Sequence, residues 1–284
     1  FRSTGWTDTV MKTWKERHGW SFDINGMSLH SYTVLDGWPP HKPSTNFGEQ
    51  DYAGMLNETL KMDGLIRSQS AVMDKYDPDK KIALVVDEWG DWLAPTPGSN
   101  PAFLQQQNSQ RDAILAALNL NIFARHADRV RMANIAQMVN VLQAMIMTDG
   151  SKMVLTPTYY IFKMYVPFQD STFLPVNYDA GSYRFGNVTL PRVDAIAART
   201  RDGRIVVSLT NIDPHRSADF AVTLPGVSAA AAKGQVLSAP AVDSVNSFTA
   251  PDTVSPKPVS AQVRDGELAI TLPPASVTVL TLNP

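Results

Sequence analysis

The chain is expected to be an α/β unit followed by an all-β unit, and three observations predict it. A continuous apolar run, Lys81-Ile82-Ala83-Leu84-Val85-Val86, lies between two stretches with helical spacing, as a parallel strand buried on both faces requires. Strand-like and helical patterns alternate up to about residue 165, the order of a parallel sheet with helices outside it. From Ser171 on, short runs separated by turns replace that alternation, which predicts an antiparallel sandwich.

Taken in order, Asn25-Gly26 makes a turn, and Met27-Ser28-Leu29-His30-Ser31-Tyr32 reads as a strand. Asp51 is placed to cap a helix over 52–76, along which Tyr52, Met55, Leu56, Leu60 and Met73 fall near helical spacing. After the strand at 81–86, a second helix is predicted over 108–126 through Ile114, Leu115, Leu118, Ile122 and Phe123. A strand at 129–133, an apolar stretch through Met147 read as helical, and an aromatic-rich helix over 157–165 complete the first unit. In the second unit, runs at 195–200 and 204–209 flank Arg201-Asp202-Gly203, and runs at 259–263 and 267–272 flank Arg264-Asp265-Gly266. Both read as hairpins. A strand at 277–282 closes the chain. The boundary is placed near residue 170, giving units 1–170 and 171–284. A whole eight-stranded α/β barrel takes roughly 200–250 residues. Three βα units are therefore either a small open sheet or the tail of a barrel.

With 284 residues and 44% hydrophobic content, the chain can bury a substantial core. The net charge of -2 has no basic stripe or acidic tail behind it, so nucleic acid is not expected as a partner. A neutral ligand such as a sugar fits this balance. The chain has no cysteine, which excludes disulfides and thiolate metal sites and suits a reducing compartment. No segment is long and apolar enough for a membrane helix. The N-terminal FRSTGWTDTVMKTWKE has no apolar signal core and no initiator Met, so the chain is expected to start within a longer protein.

Asp87-Glu88-Trp89 follows the apolar strand, and strand C-termini are where parallel α/β folds place their sites. Strict alternation groups Ile82, Leu84, Val86 and Glu88 on one side and Ala83, Val85 and Asp87 on the other. Only one of the two acids can then enter a barrel mouth. A carboxylate there can be a nucleophile, an acid/base, a metal ligand or a helix cap. His30 and Tyr32 share a face of the earlier strand, suited to substrate hydrogen bonds, to tuning a carboxylate, or to a buried, satisfied pair. Gln137 follows the third strand and can reach the same mouth. Trp38, Trp89 and Trp92 stand near strand ends, where aromatic faces serve either sugar rings or the core. Among His18, His30, His41, His126 and His215 no pair has zinc-ligand spacing. There is no glycine-rich phosphate loop and no GxSxG, so neither a metal nor a cofactor is expected.

The runs Ser28-Leu29-His30-Ser31-Tyr32-Thr33, Val85-Val86-Asp87-Glu88-Trp89-Gly90-Asp91-Trp92 and the segment from His126 to Asn140, with Ala136-Gln137-Met138-Val139-Asn140 at its end, occur in that order. Together with Asn100-Pro101, Gln106-Gln107-Asn108 and Arg111-Asp112 they resemble the α-L-arabinofuranosidases of glycoside hydrolase family 51. Gly90 stands where some relatives have Asn. The resemblance implies strands six to eight of a (β/α)8 TIM barrel followed by a β-sandwich of jelly-roll type. It implies Glu88 as nucleophile, Tyr32 hydrogen-bonded to it, and His30, Trp92 and Gln137 lining the substrate pocket. The family's acid/base is a Glu in an Asn-Glu pair, and none of Glu16, Glu49 and Glu58 follows an Asn at a strand end. The expected partners are therefore arabinose-containing oligosaccharides, a missing N-terminal half of the same enzyme, and further copies in a homo-oligomer, a hexamer by resemblance. The expected location is cytoplasmic. A β-xylosidase or endoglucanase on the same barrel is the near alternative. A non-catalytic carbohydrate-binding fragment is the distant one, and the absence of an obvious aromatic platform in the sandwich, with Phe220, Phe248 and little else beyond the junction, argues against it.

Overall fold

The apolar run near residue 84 becomes the central strand of a parallel sheet. The computed structural model describes residues 3–17, 23–223, 231–264 and 267–282. Its first half runs α1 (Thr4–Arg17), β1 (Gly26–Thr33), α2 (Glu49–Asp74), β2 (Ala83–Asp91), α3 (Gln110–Arg125) and β3 (Val130–Ile135). The strand order is β1-β2-β3 with both pairings parallel. Leu29, Leu84, Val86 and Trp89 are buried in one core with residues of the helices, and α1 packs on α2 and α2 on α3. Ser28, His30, Tyr32, Val85 and Glu88, on the other face, are not buried. A doubly wound open sheet has helices on both faces, whereas a barrel segment has them on one. The arrangement here is the second. Among the described residues β1 and β3 each pair with one neighbour, leaving both sheet edges open.

Local chemistry explains the helix ends. α2 starts three residues before Tyr52: Gly48 is its N-cap, and Glu49 and Asp51 lie in its first turn, where negative charge favours the helix dipole. Asp51 also pairs with Lys42 at 3.0 Å. α3 starts at Gln110 behind a capping box, in which Ser109 and Asp112 satisfy one another's backbone.

The stretch after β3 is not the helix its apolar content predicted. It is irregular up to a hairpin of β4 (Ile146–Asp149) and β5 (Lys152–Leu155). Asn140 and Leu142 take φ of 61° and 52°, left-handed values that stop a helix. The Asn140 side chain instead caps the hairpin, accepting from Thr148 N at 2.7 Å and donating to Thr148 Oγ1 at 2.8 Å. The next helix, α4 (Pro157–Tyr165), falls where its sequence predicts, with Pro in its first turn.

The second half begins with β6 (Thr172–Leu174), a separate hairpin β7 (Ser182–Phe185) and β8 (Val188–Pro191), then β9 (Val193–Arg199), β10 (Ile205–Asn211), β11 (Ala218–Thr223), β12 (Ala231–Leu237), β13 (Lys257–Arg264), β14 (Glu267–Leu272) and β15 (Ser276–Leu282). All but the β7–β8 pair form one antiparallel sheet in the order β11-β14-β13-β12-β15-β10-β9-β6. The β9–β10 hairpin turns at Gly203, φ 88°. The turn expected at Asp265-Gly266 lies outside the described residues. The sheet curls into a sandwich, enclosing Val193, Ala197, Val207 and Leu280 from one part and Phe220, Val222, Val263 and Leu268 from the other. The opposite faces of β9, β10 and β15 bring Ile196, Val206, Val277 and Val279 into the core of the α/β unit. These strands are thus covered on both sides.

The seam between the two layers also carries a hydrogen-bonded polar network. Tyr165 on α4 donates to Asn121 Oδ1 on α3 at 2.7 Å and lies 2.5 Å from Ser208 Oγ on β10. Asn121 in turn donates to Asp194 Oδ2 on β9 at 2.8 Å, and Arg125 Nη1 reaches Asp194 Oδ1 at 3.0 Å. Removing the hydroxyl strands two buried partners. Tyr165→Phe is therefore expected to cost about 1–3 kcal/mol of stability, read as a lower urea midpoint with an unchanged m-value.

Candidate active site

Strict alternation groups Glu88 with Leu84 and Val86, on the helix side. The structure differs, because Leu29 pairs with Val86 but His30 pairs with Glu88. The β2–β3 pairing slips at the same place, from Val86↔Ala133 to Trp89↔Ile135. Asp87 is thus one extra residue on β2, a β-bulge that resets the phase of the strand. Val86 and Trp89 point to the helices, and Glu88 joins Val85 on the open face. Trp89, one of the three tryptophans noted near strand ends, is accordingly a core residue. It is stacked on Phe162 at 6.0 Å and edge-on to Phe123 at 5.3 Å.

Glu88 meets the two residues that β1 presents on the same face. Tyr32 donates its hydroxyl to Glu88 Oε2 at 2.5 Å, and His30 Nε2 stands 3.0 Å from the same oxygen. Oε1 carries no hydrogen bond among the described residues, and the Glu88 side chain is 44% exposed. The carboxylate therefore has one oxygen held and one presented. Burial, the hydrogen bond to Glu88 and the charges of Glu88 and Asp87 push the Tyr32 phenol well above its ordinary value, which keeps it a donor. Asp87 Oδ1 lies 3.8 Å from His30 Nδ1. Only Glu88 joins Tyr32, yet both acids approach His30, so the expected separation of their roles holds only in part.

From Tyr32 a line of aromatic rings runs outward. Trp92 stands edge-on to Tyr32, and Trp38 edge-on to Trp92, each at 5.0 Å between centroids. Trp38 is 69% exposed. Such surfaces suit the C–H faces of a sugar. Gln137 lies at the same end of the sheet. Its neighbour Ala136 donates its N–H to Trp89 O at 2.9 Å, and Gln137 itself is exposed. No hydrogen bond joins it to Glu88 among the described residues. The structure thus gathers His30, Tyr32, Glu88 and Trp92 and leaves Gln137 at the margin.

Beneath this mouth is a buried polar layer. Asp91, Gln106, Asn108, Arg111, Asp112 and Gln143 are all within 1% of complete burial. Gln106 donates to Asp91 Oδ1 at 2.7 Å and accepts from Leu93 N at 2.9 Å. Arg111 Nε donates to Asp112 Oδ1 at 2.7 Å, and its guanidinium lies 3.9 Å over the Phe47 ring. Burial first, then the charge and hydrogen bond of Asp112, push the Asp91 carboxyl well above the usual range, which favours its protonated form beside Asp112. The Gln106–Asn108 and Arg111-Asp112 motifs belong to this layer and not to the mouth. Gln143 carried no sequence signal, since it sits in the stretch read as helical. Among the described residues no group of three or more His, Cys, Asp or Glu could hold a metal ion, and no helix is long and apolar enough to cross a membrane.

Comparison with known proteins follows the same lines. The family model described as "Alpha-L-arabinofuranosidase C-terminal domain" matches residues 87–276. An "Intracellular exo-alpha-L-arabinofuranosidase" of Bacteroides ovatus is 41% identical over 281 residues, covering 98% of this chain and 53% of that protein. An "Exo-alpha-(1->6)-L-arabinofuranosidase" of Bifidobacterium longum is 27% identical, covering 97% of the chain and 54% of the relative. The crystal structure of the GH51 arabinofuranosidase from Xanthomonas axonopodis pv. citri superposes with a TM-score of 0.95 at 48% identity, over 100% of this chain and 56% of that one. The chain spans about half the length of the curated relatives it matches.

The buried Asp91–Asp112 pair makes stability depend on pH. With its folded value raised, Asp91 keeps a proton that the unfolded chain loses above pH ~4. Its contribution is fully present below that pH and is eroded as pH rises toward the folded value. Asn at this position can still donate to Asp112 and has no proton to lose. The urea midpoint of Asp91→Asn should match the wild type near pH 4 and exceed it increasingly toward pH 8. A variant that falls behind as pH rises would instead mean an ionised Asp91 paired with Arg111.

Proposed function

The chain belongs to the α-L-arabinofuranosidases of glycoside hydrolase family 51, and on that premise we propose that it supplies the nucleophile, Glu88, of a retaining, exo-acting arabinofuranosidase. The observation that carries this reading is the one-sided grip on Glu88. Tyr32 and His30 both address Oε2, so Oε1 is free to attack.

In the first step Oε1 bonds to the anomeric carbon of a terminal α-L-arabinofuranosyl group, and the glycosidic C–O bond breaks. The leaving oxygen takes a proton from a second carboxyl group about 5–5.5 Å away. In the second step that carboxylate removes a proton from water. The water oxygen bonds to the anomeric carbon, and Glu88 leaves with its electron pair restored. Tyr32 and His30 hold Glu88 in place through both steps, while Trp92 and Trp38 flank the sugar. Gln137 is assigned to the pocket rim.

The second carboxyl group is proposed to come from the half of the barrel that precedes this chain. In support, the other glutamates of the α/β unit are engaged elsewhere: Glu49 with Tyr183 and His215, Glu58 with Lys61, and Glu16 beside Lys12 on α1. The division near residue 170 into barrel and sandwich, a homo-oligomeric assembly, arabinoxylan and arabinan oligosaccharides as substrates, and an intracellular location in keeping with the Bacteroides relative's name complete the proposal. A carbohydrate-binding role for the sandwich finds less support, because Phe220 is buried in its core.

Nitrophenyl glycosides test the reading directly. The assembled enzyme should hydrolyse 4-nitrophenyl α-L-arabinofuranoside in preference to the β-xyloside and β-glucoside. Glu88→Ala should lower kcat by roughly three orders of magnitude or more, and azide should restore turnover as a glycosyl azide of inverted configuration. Full activity in Glu88→Ala would reject the assignment. The chain without its complement should be slower by ~10²–10⁴-fold, for want of proton assistance to the leaving group.

A further inference from the structure

Glu88 sits between two departures from regular strand geometry, the bulge at Asp87 and Gly90 with φ +143°. Neither holds the carboxylate in direction by itself, and Gly90 is free to take many conformations. Beyond Glu88 the strand stays paired with β1 as far as Thr33↔Asp91, and on its other side it is held by the irregular segment after β3. Ala136 N–H bonds to Trp89 O at 2.9 Å, and Gln143 Oε1 accepts Asp91 N–H at 2.9 Å. The other end of the same amide, Nε2, donates to Asp112 O at 2.8 Å in the first turn of α3 and to Thr158 Oγ1 at 3.3 Å in the first turn of α4. Gln143 is wholly buried. A Cβ placed on Gly90 would stand 3.2 Å from Gln143 Oε1 and 3.4 Å from its Cβ, so the amide fills the space beside the glycine. Tyr32 is the register partner of Gly90.

We propose that Gln143 is a positioning residue for Glu88. One buried amide ties the end of the nucleophile strand to the N-termini of the two helices that follow β2 and β3, and so sets where Glu88 lies relative to Tyr32 and the sugar. The inference rests on the reading of Glu88 as nucleophile. The position needs an acceptor for Asp91 N–H and a donor for Asp112 O at once. Gln supplies both, Met supplies neither, and Glu supplies both only while protonated.

The test uses the enzyme assembled with the rest of its barrel, 4-nitrophenyl α-L-arabinofuranoside between pH 5 and 8, and amide hydrogen exchange over residues 88–93. Gln143→Met should lower kcat roughly 10–100-fold, the scale of a displaced catalytic group, with KM within about twofold. Exchange at Asp91 should quicken. Gln143→Glu should lie nearest the wild type at pH 5 and fall toward the Met variant as pH rises. Lower melting temperatures with wild-type kcat per folded molecule, and a wild-type pH profile, would overturn the proposal. If Gln143→Met does not fold, the pH profile of Gln143→Glu decides. If the wild type itself does not cleave the arabinoside, the proposed function fails. Exchange then decides this inference alone, unchanged protection at 88–93 in Gln143→Met overturning it.

Discussion

A strand that buries Leu84, Val86 and Trp89 against helices has to turn a carboxylate to its other side where it leaves the barrel wall, and strict twofold alternation cannot do so for Glu88. The inserted residue Asp87 does. A β-bulge costs one ladder position and adds local twist, and here it brings Glu88 level with His30 and within 2.5 Å of the Tyr32 hydroxyl. The rest of the site depends on that phase change. Without it the acid would face Phe123 and Phe162, where Trp89 now packs, and an ionised carboxylate would have no partner.

A bulge followed by a glycine is a soft piece of chain, and the structure places a fully buried polar layer directly behind it. Asp91, Gln106, Asp112 and Gln143 exclude water and bond one another. In a low-dielectric interior each bond polarises the next, and an unpaired group is costly. The sandwich completes this layer. Residues after β12 supply the carbonyls of Ser244 and Val242 to the N–H groups of Gln110 and Arg111, donors at the start of α3 with no partner inside the helix. Gln110 Nε2 donates to Ala275 O at 2.8 Å beside β15. The β unit is thus part of the support under the strand that carries Glu88 as well as a neighbour of the barrel.

The open edges of β1 and β3 bear on assembly. Strand edges without partners expose rows of N–H and C=O groups, and β3 also carries an exposed apolar side chain, Met132, at 55%. Relatives about twice as long as this chain carry further sequence, and the proposed second carboxyl group lies there. The same interaction would cover the edges and place an acid opposite Glu88.

The sequence by itself determined the α/β-then-β order, the strand before Glu88, the helices over α2 to α4 and the β9–β10 hairpin. Each follows from a local period or a turn residue within about ten positions. It also marked His30, Tyr32, Glu88 and Trp92, through residue type at a strand end and resemblance to a family. Only the tertiary structure decided which way Glu88 points, because a bulge is a property of the register between two strands. It alone showed that residues 136–147 are an irregular clamp. Their apolar content resembles a helix, while Asn140 and Leu142 take left-handed angles to satisfy a hairpin and to bring Gln143 to Asp91, 52 residues away in sequence. A contact across that separation leaves no trace in local periodicity.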